Sequence, residues 1–208
     1  LWRICYPMLL YLGIQLIISI IGSIVISTYI AVFRQPATQA EMNRMVMESS
    51  LRYTVLITGI SAVVMLPPAY FFMRKDKKNM ARTEKRRIPW PAWPVLILAG
   101  AAACIGGNII MTLSQLQYIF DGYEQVSQLL YSGNFIIQMI FIGIVVPITE
   151  ELIFRGLVYT RAKQYMRSTL PAMLFCALLF GVYHGNMVQG IYAFIIGFLM
   201  AYIYEKFD

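Results

Sequence analysis

Charge is what this chain of 208 residues has least of. Asp, Glu, Lys and Arg make up 13% of it, against 59% hydrophobic residues and a mean hydropathy of +0.65. A soluble domain carries roughly a quarter charged residues, so an ordinary water-facing globule is excluded. Cysteine is scarce too. Cys5, Cys104 and Cys176 stand singly in apolar segments with no CxxC spacing, which argues against a disulfide framework or a zinc ribbon and leaves them as small packing residues. There is one histidine, His184, and no HExxH. No signal peptide is recognisable either, because the first apolar run, about 30 residues, is too long for an h-region. The chain opens on Leu1 and closes on Asp208 directly after an apolar run, and the expectation is a piece of a longer chain.

Apolar runs fill the space that charge leaves. Six stand out, at 4–33, 52–73, 91–113, 133–163, 168–186 and 188–205. Most reach the roughly 20 residues that cross a bilayer, and the expected fold is all-α, a multi-pass transmembrane helical bundle of six spans. The net charge of +7 is concentrated in one stretch. Residues 74–87 hold eight basic side chains against Asp76 and Glu84, a distribution that fits a topogenic loop on anionic lipid better than a nucleic-acid patch. Placing that loop in the cytoplasm of a cell-membrane protein puts the N-terminus inside and the 34–51 and 114–132 connections outside. Arg161, Lys163, Arg167 and Lys206 then fall inside without contradiction. Trp90 and Trp93, among Pro89, Pro91 and Pro94, mark the inner interface. Leu116, Ile119, Phe120, Tyr123, Val126 and Leu130 recur at helical spacing, which predicts a short amphipathic helix on the outer surface. Small residues mark helix contacts: Ser19, Ser23 and Ser27; Gly100, Ala103 and Gly107; Gly190, Ala193, Gly197 and Ala201.

One segment breaks the apolar pattern. Glu150, Glu151 and Arg155 lie within six residues, preceded by thirteen residues, 137–149, without a charge. Ionisable groups inside a membrane helix cost several kcal/mol unless paired or wet, and their default reading is functional. Span four descends and span five returns through a turn near 164–168. The midpoint of 150 and 184 is 167, so an antiparallel hairpin brings Glu150 and His184 to one depth, about 17 residues or about 25 Å of helix from the turn. Glu151 and Arg155, four apart, are placed for a same-face ion pair, and Glu150 sits about 100° round the helix with Phe154 and Leu157 on its face. Pro147 removes a backbone hydrogen bond and is expected to kink the helix toward a cavity. A structural reading stands beside each of these. Glu151–Arg155 serves equally as a clamp on helix register, and a lone histidine as a hydrogen-bonded core residue. Asn186, Asn108, Asn134, Gln138 and Gln189 read as interhelical hydrogen-bonders. Glu150 tips the balance, because a buried carboxylate must be protonated or solvated and both conditions suit a general base.

Glu150-Glu151-x-x-x-Arg155 followed by Phe180-x-x-x-His184 resembles the first two motifs of the CPBP family of intramembrane endopeptidases. These include type II CAAX prenyl proteases and bacteriocin-processing or immunity-linked relatives. Ser132-Gly133-Asn134 leading through Pro147 into the glutamates is similar to bacterial members. The resemblance covers 130–206, and it divides the chain into three N-terminal spans (1–129) and a CPBP-like catalytic region (130–208). It implies that Glu150 activates a water for attack on a peptide carbonyl, that Glu151 and Arg155 organise the site, and that His184 positions water or substrate. Phe180 and Asn186 are the implied substrate contacts. A His-x-x-x-Asn/Asp motif, which the family uses for the oxyanion, does not occur in these 208 residues and is expected beyond them. No cofactor is expected. Zinc stays open as an alternative, with Glu150, Glu151 and His184 as part of a ligand set. The implied partners are a peptide or protein substrate near the membrane and the bilayer itself, not nucleic acid. Two other readings remain: a non-catalytic immunity or scaffold protein that keeps the fold, and a proton-coupled transporter, for which no inverted repeat is evident.

Overall fold

The computed structural model describes residues 1–78, 89–92, 94, 95, 98, 100, 102, 105, 106, 109 and 134–207. Among them the regular elements are helical, with no strand: α1 (Trp2–Tyr29, prolonged by a π-helical turn Ile30–Arg34), α2 (Gln39–Lys78), α3 (Phe135–Met166), α4 (Thr169–Tyr183) and α5 (Met187–Lys206). Four of these, α1, α2, α3 and α5, are long and apolar enough to cross a membrane. The expected fifth span is the shorter α4, 15 residues, because its C-terminus is turned at His184-Gly185 with Gly185 at φ +65°. The expected third span, 91–113, lies largely outside the described residues, as do the surface helix at 114–132 and most of the small-residue stripe Gly100, Ala103, Gly107.

The chain packs as two units. The first comprises Leu1–Arg74 and Gln125–Ile153, the second Lys75–Glu124 and Phe154–Asp208. The region 130–208 is thus shared between them.

In the first unit, α1 is built of Leu and Ile turned outward, with Leu16, Ile17, Ile20, Ile21 and Ile24 exposed, as lipid-facing side chains are. Tyr6 near its start meets Phe72 near the end of α2 edge to face, at 5.5 Å, so the two helices run antiparallel. Close approach needs small residues where lipid gives no hydrophobic drive. A Cβ on Gly22 would lie 3.1 Å from Ile57, and one on Gly59 would collide with the Phe141 ring. Val55, Ala62, Met65 and Ala69 form the buried stripe of α2. The connection expected at 34–51 is shorter than the sequence suggested, since 39–51 are helical. Thr38 caps this helix, its Oγ1 accepting from Glu41 N–H at 3.2 Å, and the Glu41 carboxylate accepts from Ala37 N–H at 2.9 Å. Arg44–Glu48 at 2.8 Å adds an i,i+4 pair. At the other end α2 continues through Lys78, so the basic loop expected from 74 begins helical, and 79–88 lie outside the described residues.

In the second unit, α4 and α5 form a hairpin. Asn186 caps α5, its Oδ1 accepting from Val188 N–H (2.9 Å) and Gln189 N–H (3.3 Å). The helices cross at glycine, where a Cβ on Gly181 would lie 2.7 Å from the Gly190 carbonyl oxygen. Ala193, Gly197 and Ala201 are buried, as the small-residue stripe predicts. Two polar ties fix the C-terminal half of α3. Arg161 Nε bonds Asp76 Oδ2 at 2.5 Å with both side chains buried, and Glu205 takes Tyr159 Oη–H (2.7 Å) and the Lys163 ammonium.

Candidate active site

α3 positions the charged motif, and its winding is irregular on both sides of it. Residues Phe141–Val145 are π-helical, and the Val146 N–H reaches back five residues to the Phe141 carbonyl. Pro147 follows directly. Its ring would crowd the carbonyl four residues earlier in a regular helix, and the wider turn is one way a helix absorbs it. What the structure shows beside Pro147 is this change of winding. A second π-helical segment, Phe154–Tyr159, begins one residue before Arg155. The winding therefore changes from α turns to π turns between Glu151 and Arg155. Widened turns leave carbonyls to be satisfied by side chains. Cys176 Sγ–H donates to Phe154 O at 3.2 Å and Thr160 Oγ1–H to Arg155 O at 2.7 Å.

Glu150 and Glu151 lie within the α-wound stretch Val146–Ile153 of the first unit. Both are half-buried, between fully buried Thr149 and Ile153. The Thr149 hydroxyl, held between Val145 O (2.9 Å) and Ala62 O (3.3 Å), ties this turn of α3 to α2.

Arg155, Phe180, His184 and Asn186 belong to the second unit, and three of them come together. The Arg155 guanidinium, 1% exposed, lies with Cζ 4.6 Å over the Phe180 ring, and its Nη2–H donates to Gly197 O at 3.1 Å. A desolvated cation–π contact of this kind contributes about 2 kcal/mol. His184 Nδ1 lies 2.7 Å from Phe180 O. A carbonyl oxygen only accepts, so Nδ1 carries the proton, and in neutral imidazole Nε2 keeps its lone pair. Such a nitrogen can accept a proton or orient a water. Asn186 spends its carbonyl oxygen on the α5 cap and lines an apolar groove of about 730 Å³ with Leu178, Val182, Gly190 and Phe194. That volume is in the range of small-ligand sites. Among the described residues no three of His, Cys, Asp and Glu gather where they could hold a metal ion.

Two participants were not singled out as site residues from sequence. Gly197 appeared only as a packing residue, yet its carbonyl anchors Arg155 and its missing side chain makes room for Phe180, since a Cβ there would lie 3.0 Å from the ring. Phe154 closes on Phe180 at 4.8 Å and on Tyr183 at 5.4 Å, and it adjoins Arg155 in a charged motif that draws attention to its charges alone.

No curated protein and no solved structure matches this chain. A family model does, over residues 132–208, a stretch that includes both motifs and leaves 1–131 outside. Over those residues the chain is similar to the Rce1-like type II CAAX prenyl endopeptidases, a likeness consistent with the CPBP resemblance of the glutamate, arginine and histidine motifs.

Proposed function

We propose that this chain is an intramembrane endopeptidase that hydrolyses a peptide bond with a glutamate-activated water. The observation that carries the reading is the pair Glu150-Glu151 inside an apolar helix, within the segment matched to a prenyl endopeptidase family. Glu150 takes a proton from water, the hydroxide attacks the peptide carbonyl, and the same carboxyl returns the proton to the leaving amine. Glu151 and Arg155 hold the electrostatic frame, and the bare Nε2 of His184 orients the water or the substrate. Backbone or side-chain donors must meet the tetrahedral oxyanion. The reaction written this way uses no metal. Glu150, Glu151 and His184 remain the residues a zinc ion would call on.

The substrate is a peptide or protein segment at the membrane, with its apolar part against the groove that Asn186 lines. Nucleic acid has no part in this reading. The protein is a multi-pass protein of the cell membrane with six spans and the basic 74–87 stretch in the cytoplasm. The burial of Arg155 among helices favours, as a second reading, a non-catalytic immunity or scaffold protein that keeps the fold.

An internally quenched farnesylated peptide ending in a CAAX sequence separates the two. In lipid nanodiscs the full-length wild-type protein cleaves it and its Glu150→Gln variant does not, while membrane insertion is unchanged. Full cleavage by Glu150→Gln would remove that carboxylate from the mechanism.

A further inference from the structure

The ring of Phe180 leaves little surface for a substrate. It is 8% exposed, with Phe154 and His184 against it edge to face, each at 4.8 Å, and Gly197 fitted beneath it. Its face carries the Arg155 guanidinium, which is held from a second direction by the Gly197 carbonyl. Both partners are electron-rich and both are aimed at the same cation. An aliphatic side chain of equal volume would fill this space and offer no such face.

The backbone of the same residue does a second task. At the end of α4 the His184 N–H bonds Gly181 O at 3.2 Å, a tightened last turn. The Phe180 carbonyl, four residues before His184, takes the imidazole Nδ1–H instead, at 2.7 Å. The imidazole is thereby fixed in one tautomer by the residue whose ring holds the arginine.

We propose that Phe180 is a positioning residue that holds two side chains at once, its ring seating Arg155 and its carbonyl fixing His184 with Nε2 bare. The inference rests on the reading of Arg155 and His184 as site residues. It differs from a substrate contact in what it requires of position 180: an aromatic face, whatever peptide is bound.

The test uses the full chain in lipid nanodiscs, ¹⁵N-labelled at histidine and arginine and carrying a tag without histidine. His184 is the one histidine of these 208 residues, and its ring signals are assigned by their loss in His184→Asn. At a pH where the imidazole is neutral, the expected spectrum has the proton on Nδ1. Arg155 is assigned by the loss of its signals in Arg155→Lys. Its Nη protons are expected to exchange slowly in the wild type, about tenfold faster in Phe180→Leu, and at close to the wild-type rate in Phe180→Tyr, which restores the ring. A proton on Nε2, or equal protection in Phe180→Leu, overturns the proposal. Should Phe180→Leu fail to fold, Gly197→Ala takes its place. Its Cβ presses on the ring edge, faster exchange is expected, and unchanged exchange overturns the proposal. No peptide is cleaved in this experiment, so a failure of the endopeptidase reading and a failure of this one remain distinct.

Discussion

Substituting Gly181 by alanine puts a Cβ 2.7 Å from the Gly190 carbonyl oxygen, a backbone atom that no rotamer change can move. Ordinary contact between such atoms begins near 3.4 Å, so α4 and α5 must part by roughly 0.7 Å at the crossing. A gap of that size forfeits about a quarter of the dispersion well at each contact along the interface, and overpacking of this kind costs about 1–3 kcal/mol. The displacement also reaches the site. Gly197 rides on α5, and its bond from Arg155, 3.1 Å long, stretches beyond about 3.5 Å, where it no longer counts as a hydrogen bond. Reversible unfolding in mixed micelles measures the effect against two internal references. Gly190→Ala, with its Cβ at 3.1 Å from Gly181 O, loses less than Gly181→Ala. Gly13→Ala meets nothing within 4 Å and gains up to about 1 kcal/mol from helix propensity. If Gly181→Ala unfolds with the same midpoint as Gly13→Ala, the glycine crossing is not what brings these helices together.

Other positions give sharper contrasts. Arg161→Met breaks the buried ion pair to the Asp76 carboxylate and lowers stability by about 3–5 kcal/mol in the same assay, whereas the double variant with Asp76→Leu recovers most of the loss. Gly59→Ala drives a Cβ into the Phe141 ring and destabilises the first unit, and Phe141→Leu in the same chain relieves it. Thr38→Ala removes the α2 cap at a cost of about 1 kcal/mol, seen as faster amide exchange confined to 39–51 and absent from 55–69.

Hydropathy alone makes much of this fold legible. The runs at 4–33, 133–163 and 188–205 coincide within a few residues with α1, α3 and α5. The stripe Gly190, Ala193, Gly197, Ala201 marks a face of α5 that is largely buried. What hydropathy misses is helix that leaves the apolar zone. Residues 39–51 are too polar to register as a span, although Thr38 and Glu41 stand at capping-box spacing. Winding is harder to read. A 3.6-residue period carries no sign that 154–159 form π turns, because Cys176 and Thr160, which bond the carbonyls of Phe154 and Arg155, belong to other turns of the chain. Arg155 is identifiable from its charge in an apolar helix. That it rests on Phe180 and Gly197 depends on helix rotation, which spacing does not determine.

The proposed hydrolysis requires Glu150 and His184 to open on one water-filled space. Cysteines placed at 150 and 184, with Cys5, Cys104 and Cys176 replaced by alanine, test this in native membranes with a short bis-thiosulfonate reagent. The 150–184 pair is expected to cross-link and the control pair 48–184 is not. Equal absence of cross-linking in both, with each single cysteine modified by a water-borne thiol reagent, would contradict the account.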